Sequence, residues 1–356
     1  MESLKKIFGD RIRTDEPLSR HTNFRIGGPA RYFFEARNSD EVAAGICAAV
    51  GENVPFFLLG GGSNILVSDK GFDGLVVKLA NRAVSIEGTR VRAEAGMLSV
   101  LLARKTVEAG LAGFEWAVGL PGTVGGAVRG NAGCFGGEMK DVVREVEIVD
   151  LRNGCTTRTI AAAECEFGYR DSIFKHFKAP LAPSRGPTGS LAGDQSGSLG
   201  GGMGVVLSVT LDLSPGEKER GQALLRDYVS RRKEKQPTDY SSAGCVFKNI
   251  SAKGGSAFGG EFIDEAVLEK LRKDTDVPEE FLKAGRIPAG WIIEQLGLKG
   301  TRIGEAMISE KHGNFIVNAG RATADEVVQL IVLVKSRARE MYGLQMQEEI
   351  QYVGFE

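Results

Sequence analysis

The apolar positions in the first 80 residues form short runs that alternate with one helix-like segment. ARYFFEA (30–36) predicts a strand, and SDEVAAGICAAVGE predicts a helix over residues 39–52, with Ser39 or Asp40 as its N-cap. Two apolar runs flank a glycine turn in VPFFLLGGGSNILVS, and GLVVKL adds a third run at 74–79. The opening region is therefore predicted to be a β-α-β-β unit.

The middle of the chain predicts more strands, one helix and two irregular segments. AVSIEG and RVRAEAG predict strands before a helix at 99–110, and VREVEIVDL, CTTRTIAAAE and VVLSVTLDL predict three more. Residues 113–139 are too rich in glycine for a regular element to be expected. Residues 180–204 are rich in glycine and serine, which predicts a flexible hairpin tip.

The last third combines helices with short strand-like runs. Helices are predicted at 216–235 and 323–342, with a charged helix-like insert at about 262–286. The chain then ends on a strand-like run, LQMQEEIQYVGFE.

The length of the chain predicts two or three domains, and the organisation that we predict is an α+β protein in three parts. The first part is predicted to be residues 1–80 joined by the C-terminal strand 343–356. The second is 81–215, which carries the loop 180–204, and the third is 216–340.

Composition and charge exclude several classes of function. The net charge of −1 offers no field for nucleic acid or an acidic membrane, and no apolar run approaches the roughly 20 residues of a membrane span. Five scattered cysteines without a CxxC pair, and three histidines far apart, predict neither disulfides nor a metal site. With no secretory signal pattern at the N-terminus, we expect a cytoplasmic protein.

Two glycine-rich loops are candidates for binding a diphosphate. LGGGSN (59–64) lies between two strands and fits neither the Rossmann fingerprint nor the P-loop. Its successive N–H groups and the Ser63 hydroxyl would suit a diphosphate, and the alternative is a simple hairpin. GLPGTVGGAVRGNAG (119–133) is the second loop, whose alternative is a junction between domains. Two such loops suggest a long ligand with a diphosphate in its middle.

The stretch SSAGCVFKN (241–249) places a cysteine on a turn of small residues. Cys245 could be a nucleophile, a proton donor, a metal ligand or a buried apolar side chain. No histidine stands near it in the sequence to activate a covalent nucleophile.

An ordered set of motifs across nearly the whole chain resembles the UDP-N-acetylenolpyruvoylglucosamine reductase (MurB) family. The set is HTNFRIGGPA, LGGGSNILVSDKGFDGLVVKL, GLPGTVGGAVRGNAG, YRDSIFK, KQP, SAGCVFKN, AGWIIEQLGLKG, NFIVNAG and EEIQYVG. The resemblance implies an FAD enzyme of the bacterial cytoplasm. Such an enzyme reduces the enolpyruvyl group on UDP-N-acetylglucosamine with NADPH, giving UDP-N-acetylmuramate for peptidoglycan.

The resemblance also implies a fold. The FAD-binding domain would be of the PCMH or vanillyl-alcohol-oxidase type, made of two α+β subdomains, and not a Rossmann domain. A C-terminal α+β domain would bind the substrate. The misfit of the glycine loops to the Rossmann fingerprint agrees with this.

The resemblance implies three catalytic residues. Arg170 in GYRDS would stabilise the enolate that forms on the substrate carboxylate, and its alternative is a surface pair with Asp171. Glu349 in QEEIQ would be the catalytic glutamate, in a protonated or hydrogen-bonding state, with Glu348 as the competing assignment. Cys245 would donate a proton to the α-carbon, where the family usually places serine. A thiol, with a reference pKa of about 8.5, is a better acid than a hydroxyl.

We predict that the two glycine loops hold FAD non-covalently and that NADPH is the hydride donor. The predicted cofactor-binding residues are Gly60, Gly61, Gly62, Ser63, Asn64, Gly119, Pro121, Gly122, Gly125, Gly126 and Asn131. Lys235 and Asn249 resemble substrate-binding positions. Arg231, Arg232 and Lys233 could attract the UDP diphosphate or form a solvated helix face. We expect a monomer that binds a UDP-sugar and no metal, nucleic acid or membrane.

Two departures from the family concern the substrate pocket. The loop at 180–204 is longer than the family usually has. The insert between Asn249 and Pro288 resembles the extra loop of one subclass, yet residues 250–287 contain no tyrosine to close over a substrate. Rival interpretations are a flavin oxidase of the same superfamily and a non-catalytic nucleotide-binding protein.

Overall fold

A computed structural model of the chain describes residues 2–176, 204–251 and 265–355. The predicted hairpin tip at 180–204 lies outside these ranges except for its last residue, as does the start of the predicted insert. The described helices, α1 to α9, are Glu2–Phe8, Ser39–Gly51, Ser99–Glu108, Val124–Arg129, Lys218–Lys235, Glu265–Asp274, Glu279–Lys283, Ala289–Gln295 and Ala324–Tyr342.

The described strands are short and spread along the chain. Numbered β1 to β21, they are Arg13–Pro17, Pro29–Ala36, Phe56–Leu59, Ile65–Val67, Phe72–Leu79, Val84–Glu87, Arg90–Glu94, Leu111–Ala112, Gly133–Cys134, Gly137–Glu138, Val143–Asp150, Thr156–Ala161, Val205–Asp212, Ser214–Pro215, Ser241–Cys245, Ile250–Ser251, Arg286–Ile287, Arg302–Ile303, Ala306–Ile308, Phe315–Asn318 and Gln351–Val353.

The first sheet has the order β1-β2-β5-β3, with β2 and β3 both parallel to β5. The strands flanking the first glycine turn therefore do not form a hairpin, because β4 pairs instead with the distant β21. The predicted N-cap of α2 is also wrong. Asn38 has the extended backbone of a cap and its side chain accepts from Glu41 N at 2.8 Å, whereas Ser39 is already helical.

The second sheet is antiparallel, in the order β12-β11-β13-β7-β6. It shares one hydrophobic core with the first sheet, since Phe34 and Val77 from the first cluster with Val91 and Val146 from the second. Two predicted parts of the chain are thus held together by continuous apolar packing.

The expectation of no regular element in 113–139 is wrong. Residues 124–129 form α4, which Thr123 caps by accepting from Gly126 N. The segment also docks by backbone bonds, because Gly125 N donates to Ala95 O at 2.9 Å. The small residues of α4 let the helix approach β7 closely. The packing and backbone bonds that result outweigh the poor helix propensity of glycine.

The third sheet, β15-β20-β19-β18, packs against α9 through residues such as Ile316 and Ile331. The same core takes in Phe24 and Leu66 from the first part of the chain. The division into three parts stays a prediction, which the separate sheets support. No helix among the described residues is long and apolar enough to span a bilayer.

Candidate active site

The two predicted glycine loops touch one another. Ser63 Oγ donates to the Pro121 carbonyl at 3.0 Å. A Cβ placed on Gly61 would lie 2.4 Å from Gly122 Cα, so only glycine permits this approach. The loops therefore form one composite surface, as a single ligand held by both would require.

That composite surface fits a diphosphate group. Within the described ranges, the backbone N–H groups from Gly60 to Asn64 donate no hydrogen bond. Successive unpaired N–H groups form an anion-binding nest. Gly126 on α4 is exposed, and a Cβ there would meet only Thr123 Oγ1, at 3.6 Å, so open space lies above it. The residues present fit the group that the sequence predicts.

The side chain of Asn131 stabilises the second glycine loop through hydrogen bonds within the protein. Its Nδ2 donates to Glu138 Oε2 and to the Gly168 carbonyl, both at 2.8 Å. Its Oδ1 accepts from Lys140 N at 2.9 Å. Because the amide is committed within the protein, Asn131 shapes the loop and is not a direct donor to a ligand.

Arg170 sits at a strained turn. Gly168 and Asp171 exchange backbone hydrogen bonds at 3.0 and 3.3 Å, which places Tyr169 and Arg170 at the tip. Arg170 has φ of +54°, the left-handed region that non-glycine residues rarely adopt. Its Nη2 donates to the Gly133 carbonyl at 3.0 Å, so the guanidinium points at the second glycine loop.

The guanidinium of Arg170 pairs with Glu349. Arg170 Nε lies 2.9 Å from Glu349 Oε1, although its N–H is not aligned as a hydrogen bond. The alternative pairing with Asp171 is wrong, because Asp171 contacts His176 at 3.0 Å. Among the described residues Arg170 Nη1 has no partner, which leaves N–H donors for a carboxylate.

Glu349 is fixed by backbone bonds from two directions. Its N–H donates to the Val246 carbonyl at 2.7 Å, and Asn64 Nδ2 donates to its carbonyl at 3.1 Å. Its neighbour Glu348 points the other way and pairs with Lys335 on α9 at 2.9 Å. The geometry therefore favours Glu349 over Glu348 as the site residue.

Cys245 ends β15 at a bulge, where a turn was predicted. The register of β15 against β20 shifts between Ser242 and Cys245, and Gly244 has φ of +80°. The side chain of Asn314 brackets Phe247, two residues after Cys245: Phe247 N donates to Asn314 Oδ1, and Asn314 Nδ2 donates to Phe247 O, each at 2.8 Å. The bulge also approaches the first glycine loop, since a Cβ on Gly244 would lie 3.8 Å from Ser63 O.

The environment keeps the Cys245 thiol protonated. Burial is the main cause that raises its pKa to about 12, helped by the charge of Glu349 and opposed by Arg170, Asn314 and Arg232. The expected advantage of a thiol over a hydroxyl as an acid is therefore smaller than its reference pKa suggests. The side chain is therefore a neutral thiol within electrostatic reach of the Arg170 guanidinium.

Alkylation by iodoacetamide should test that protonation state. At pH 8 the thiolate fraction of Cys245, with its pKa of about 12, should be about 10³-fold lower than for a thiol at the reference pKa of about 8.5. Loss of activity should therefore be slow at pH 8, and its rate should keep rising about tenfold per pH unit beyond pH 9. The Cys245→Ser variant is the control, and a rate plateau near pH 9 in the wild type would contradict the assignment.

Four cations near the site were not singled out from the sequence as catalytic. Arg232 on α5 donates to the Gly119 carbonyl, and burial lowers its pKa. Burial likewise lowers the pKa of Lys175 to about 8 and of Arg129 to about 10. The fourth, Lys248, repels Lys175. One sequence feature could have predicted that Arg232 faces inward. It lies three residues after Val229, and so on the face of α5 that packs on the core.

The remaining predicted residues lie around this centre. Arg231 pairs with Asp227 at 2.9 Å and Lys233 is exposed, so both belong to the solvated face of α5. Lys235 is exposed at the end of α5. Asn249 Oδ1 accepts from Ala289 N at 3.1 Å and so caps α8. Among the described residues, no group of three or more candidate metal ligands occurs.

Comparisons with known proteins cover almost the whole chain. A model described as FAD binding domain matches residues 30–159, and one described as UDP-N-acetylenolpyruvoylglucosamine reductase, C-terminal domain, matches residues 236–353. The chain is 36% identical to the UDP-N-acetylenolpyruvoylglucosamine reductase of Caldanaerobacter subterraneus subsp. tengcongensis, over 99% of this chain and 98% of that one. It is 35% identical to that of Solibacter usitatus, over 96% and 97%.

A solved structure agrees with the sequence comparisons. The crystal structure of UDP-N-acetylenolpyruvylglucosamine reductase (MurB) from Thermus caldophilus superposes with a TM-score of 0.66 at 30% identity. The match covers 96% of this chain and 98% of the other.

Proposed function

This chain belongs to the UDP-N-acetylenolpyruvoylglucosamine reductase family, and from the geometry of its site we propose that Arg170, Cys245 and Glu349 carry the chemical step. The enzyme is an FAD-dependent oxidoreductase that uses NADPH to reduce the enolpyruvyl group of its UDP-sugar substrate to UDP-N-acetylmuramate, a step in peptidoglycan precursor synthesis. The observation that carries the proposal is the 2.9 Å contact of Arg170 with Glu349 beside the Cys245 bulge.

Arg170 is proposed to stabilise the enolate. Bound FAD would supply the hydride chemistry between NADPH and the β-carbon of the substrate, and negative charge would then develop on the substrate carboxylate. The free N–H groups of Arg170 form a planar donor fork suited to a carboxylate. In a site shielded from water such a donor stabilises the developing charge strongly.

Glu349 is proposed to orient that fork. The ion pair fixes the guanidinium from one side, while the Gly133 carbonyl fixes it from the other. Because the backbone of Glu349 is bonded to Asn64 and Val246, the carboxyl group is held relative to both the first glycine loop and the Cys245 bulge. The glutamate thus ties the proposed cofactor surface to the proposed proton donor.

Cys245 is proposed to supply the proton to the α-carbon. The S–H bond breaks as the new C–H bond forms, and the thiolate that remains is later protonated by solvent. The charges of Arg170 and Arg232 both favour that thiolate, since each acts to lower the pKa of Cys245. The step needs no metal and no second nucleophile.

The FAD diphosphate and the UDP part of the substrate are proposed to lie on either side of the group formed by Arg170, Cys245 and Glu349. The glycine loops from Gly60 to Asn64 and from Gly119 to Gly126 would hold the FAD diphosphate by backbone N–H groups. Lys235 and Asn249 would bind the UDP-sugar, and Arg232, which donates to the Gly119 carbonyl, is close enough for its charge to act on the Cys245 thiol. We further propose a cytoplasmic monomer. Five free cysteines suit a reducing compartment.

A bulky side chain at Gly126 should abolish retention of the flavin. Gly126→Leu has room to fold, because a Cβ there meets only Thr123 Oγ1, yet it projects into the space proposed for the diphosphate. The wild type should purify with a flavin absorbance that NADPH bleaches under anaerobic conditions and the UDP-sugar restores. The variant should purify colourless with an unchanged melting profile of the apoprotein.

Gly51→Leu is the matched control for that substitution. Gly51 ends α2, and a Cβ there would meet no atom within 4 Å, so this variant should keep its flavin. Full flavin occupancy in Gly126→Leu would contradict the proposed loop. A wild-type protein that takes up no FAD would contradict the function itself.

A further inference from the structure

We propose that Lys175 is a positioning residue, whose side chain holds the backbone of Arg170 so that the guanidinium reaches Glu349. The inference rests on the proposed role of Arg170. Lys175 Nζ donates to the carbonyl oxygen of Arg170 itself. A side chain five residues downstream therefore closes over the turn that presents the proposed catalytic arginine.

The turn needs such support because its geometry is unfavourable. A non-glycine residue with φ of +54° is disfavoured unless its surroundings hold it there. Without added restraint, the peptide at Arg170 would relax toward a more common conformation. The guanidinium at the end of that side chain would then move relative to Glu349.

The residues between Arg170 and Lys175 reverse the direction of the chain, so that Lys175 lies close to Arg170. Ser172 has an extended backbone and caps the short 3₁₀ turn Ile173–Lys175 by accepting from Phe174 N at 3.3 Å. Its hydroxyl also donates to the carbonyl of Arg129 at 2.7 Å, which anchors the turn to the end of α4. The reversal aims the Lys175 side chain at the Arg170 carbonyl.

Most of the surroundings of Lys175 disfavour a positive charge on its side chain. Burial and the charges of Arg129 and Lys248 all disfavour an ammonium here, and only Glu349 and Asp171 favour it. Among the described residues Lys175 forms no ion pair within contact distance of a carboxylate. Within the described ranges, the one hydrogen bond of the Lys175 side chain goes to Arg170 O, so the side chain supplies a donor to that carbonyl.

A double-mutant cycle with Arg170 tests the inference. Lys175→Met should lower the rate of the substrate-reducing step by about 10²-fold, the order expected when a catalytic group is misplaced by about 1 Å. Reduction of the flavin by NADPH should be unchanged, because that half-reaction does not use Arg170. In an Arg170→Met background, adding Lys175→Met should cost no further rate, since Lys175 acts through Arg170.

Three other variants complete the design. Lys175→Arg keeps N–H donors on a long side chain and should recover most of the rate, which also covers the case in which Lys175→Met does not fold. Lys283→Met removes an exposed lysine from α7 and should behave as wild type. Arg170→Met alone must be slow in the substrate step; if it is not, the proposed function of Arg170 fails.

The outcomes distinguish the proposed role of Arg170 from the positioning role of Lys175. If Lys175→Met loses the same factor with and without Arg170, Lys175 acts independently and the inference is overturned. Equal losses in both half-reactions, or no recovery in Lys175→Arg, would also overturn it. Both the role of Arg170 and the positioning role of Lys175 are supported if two results are found together. Arg170→Met must slow the substrate-reducing step, and Lys175→Met must cost no further rate in the Arg170→Met background.

Discussion

Replacing Cys245 by alanine should leave an enzyme that accepts hydride from NADPH but scarcely passes it to the UDP-sugar. Proton transfer to the α-carbon belongs only to the second half-reaction. General acid catalysis contributes about 10²–10⁴-fold, so the substrate-reducing step should slow by that order. The flavin should still bleach with NADPH at nearly the wild-type rate.

Anaerobic stopped-flow absorbance separates the two steps for Cys245→Ala. Cys245→Ser should recover much of the lost rate, because a hydroxyl in the same place also donates a proton. Cys47→Ala, which removes a thiol from helix α2, is the control and should match the wild type. Normal reoxidation of Cys245→Ala by substrate would show that the thiol only packs and that another group protonates the carbon.

Replacing Arg170 by methionine should have a comparable effect on the same half-reaction. The variant removes the donor fork proposed for the substrate carboxylate and leaves Glu349 without its 2.9 Å partner. Loss of one preorganised donor to a developing oxyanion costs about 10²–10³-fold. The KM for the UDP-sugar should rise as well, because the same fork binds the ground-state carboxylate.

Arg170→Lys distinguishes charge from geometry. A lysine keeps the positive charge and loses the planar fork, so it should restore only part of the rate. Arg144→Met removes an exposed arginine that pairs with Asp212 at 2.9 Å, and it should change neither half-reaction. If Arg170→Met keeps a wild-type substrate step, the enolate must be stabilised by another group.

The regular elements were largely predictable because their signals are local. Strands β2, β5 and β13 and helices α2, α5 and α9 lie where apolar periodicity places them. Helix α4 was not predicted, because glycine composition argues against a helix and only docking on Ala95 shows why one forms. The bulge at Gly244 was mistaken for a turn, since sequence cannot show that the residues on both sides pair with β20.

The site was predictable where a residue stands in a recognisable motif. Arg170, Cys245 and Glu349 do, and the structure brings them together, although their roles stay predictions. Asn314 and Lys175 escaped notice as site residues because their contacts depend on the fold. Asn314 brackets Phe247 from 67 residues away, and Lys175 reaches a backbone carbonyl that no side-chain pattern reveals.

The hydrogen bond from Asn64 to Glu349 joins positions 285 residues apart, and β4 depends on β21 for its parallel partner. During synthesis from the N-terminus, the first glycine loop can meet the second early, but it must wait for almost all of the chain before Glu349 and β21 exist. Contacts of such long range also close at a high entropic cost and slow the final stage of folding. Competence to hold the cofactor should consequently arise late and all at once, after the sheets have formed.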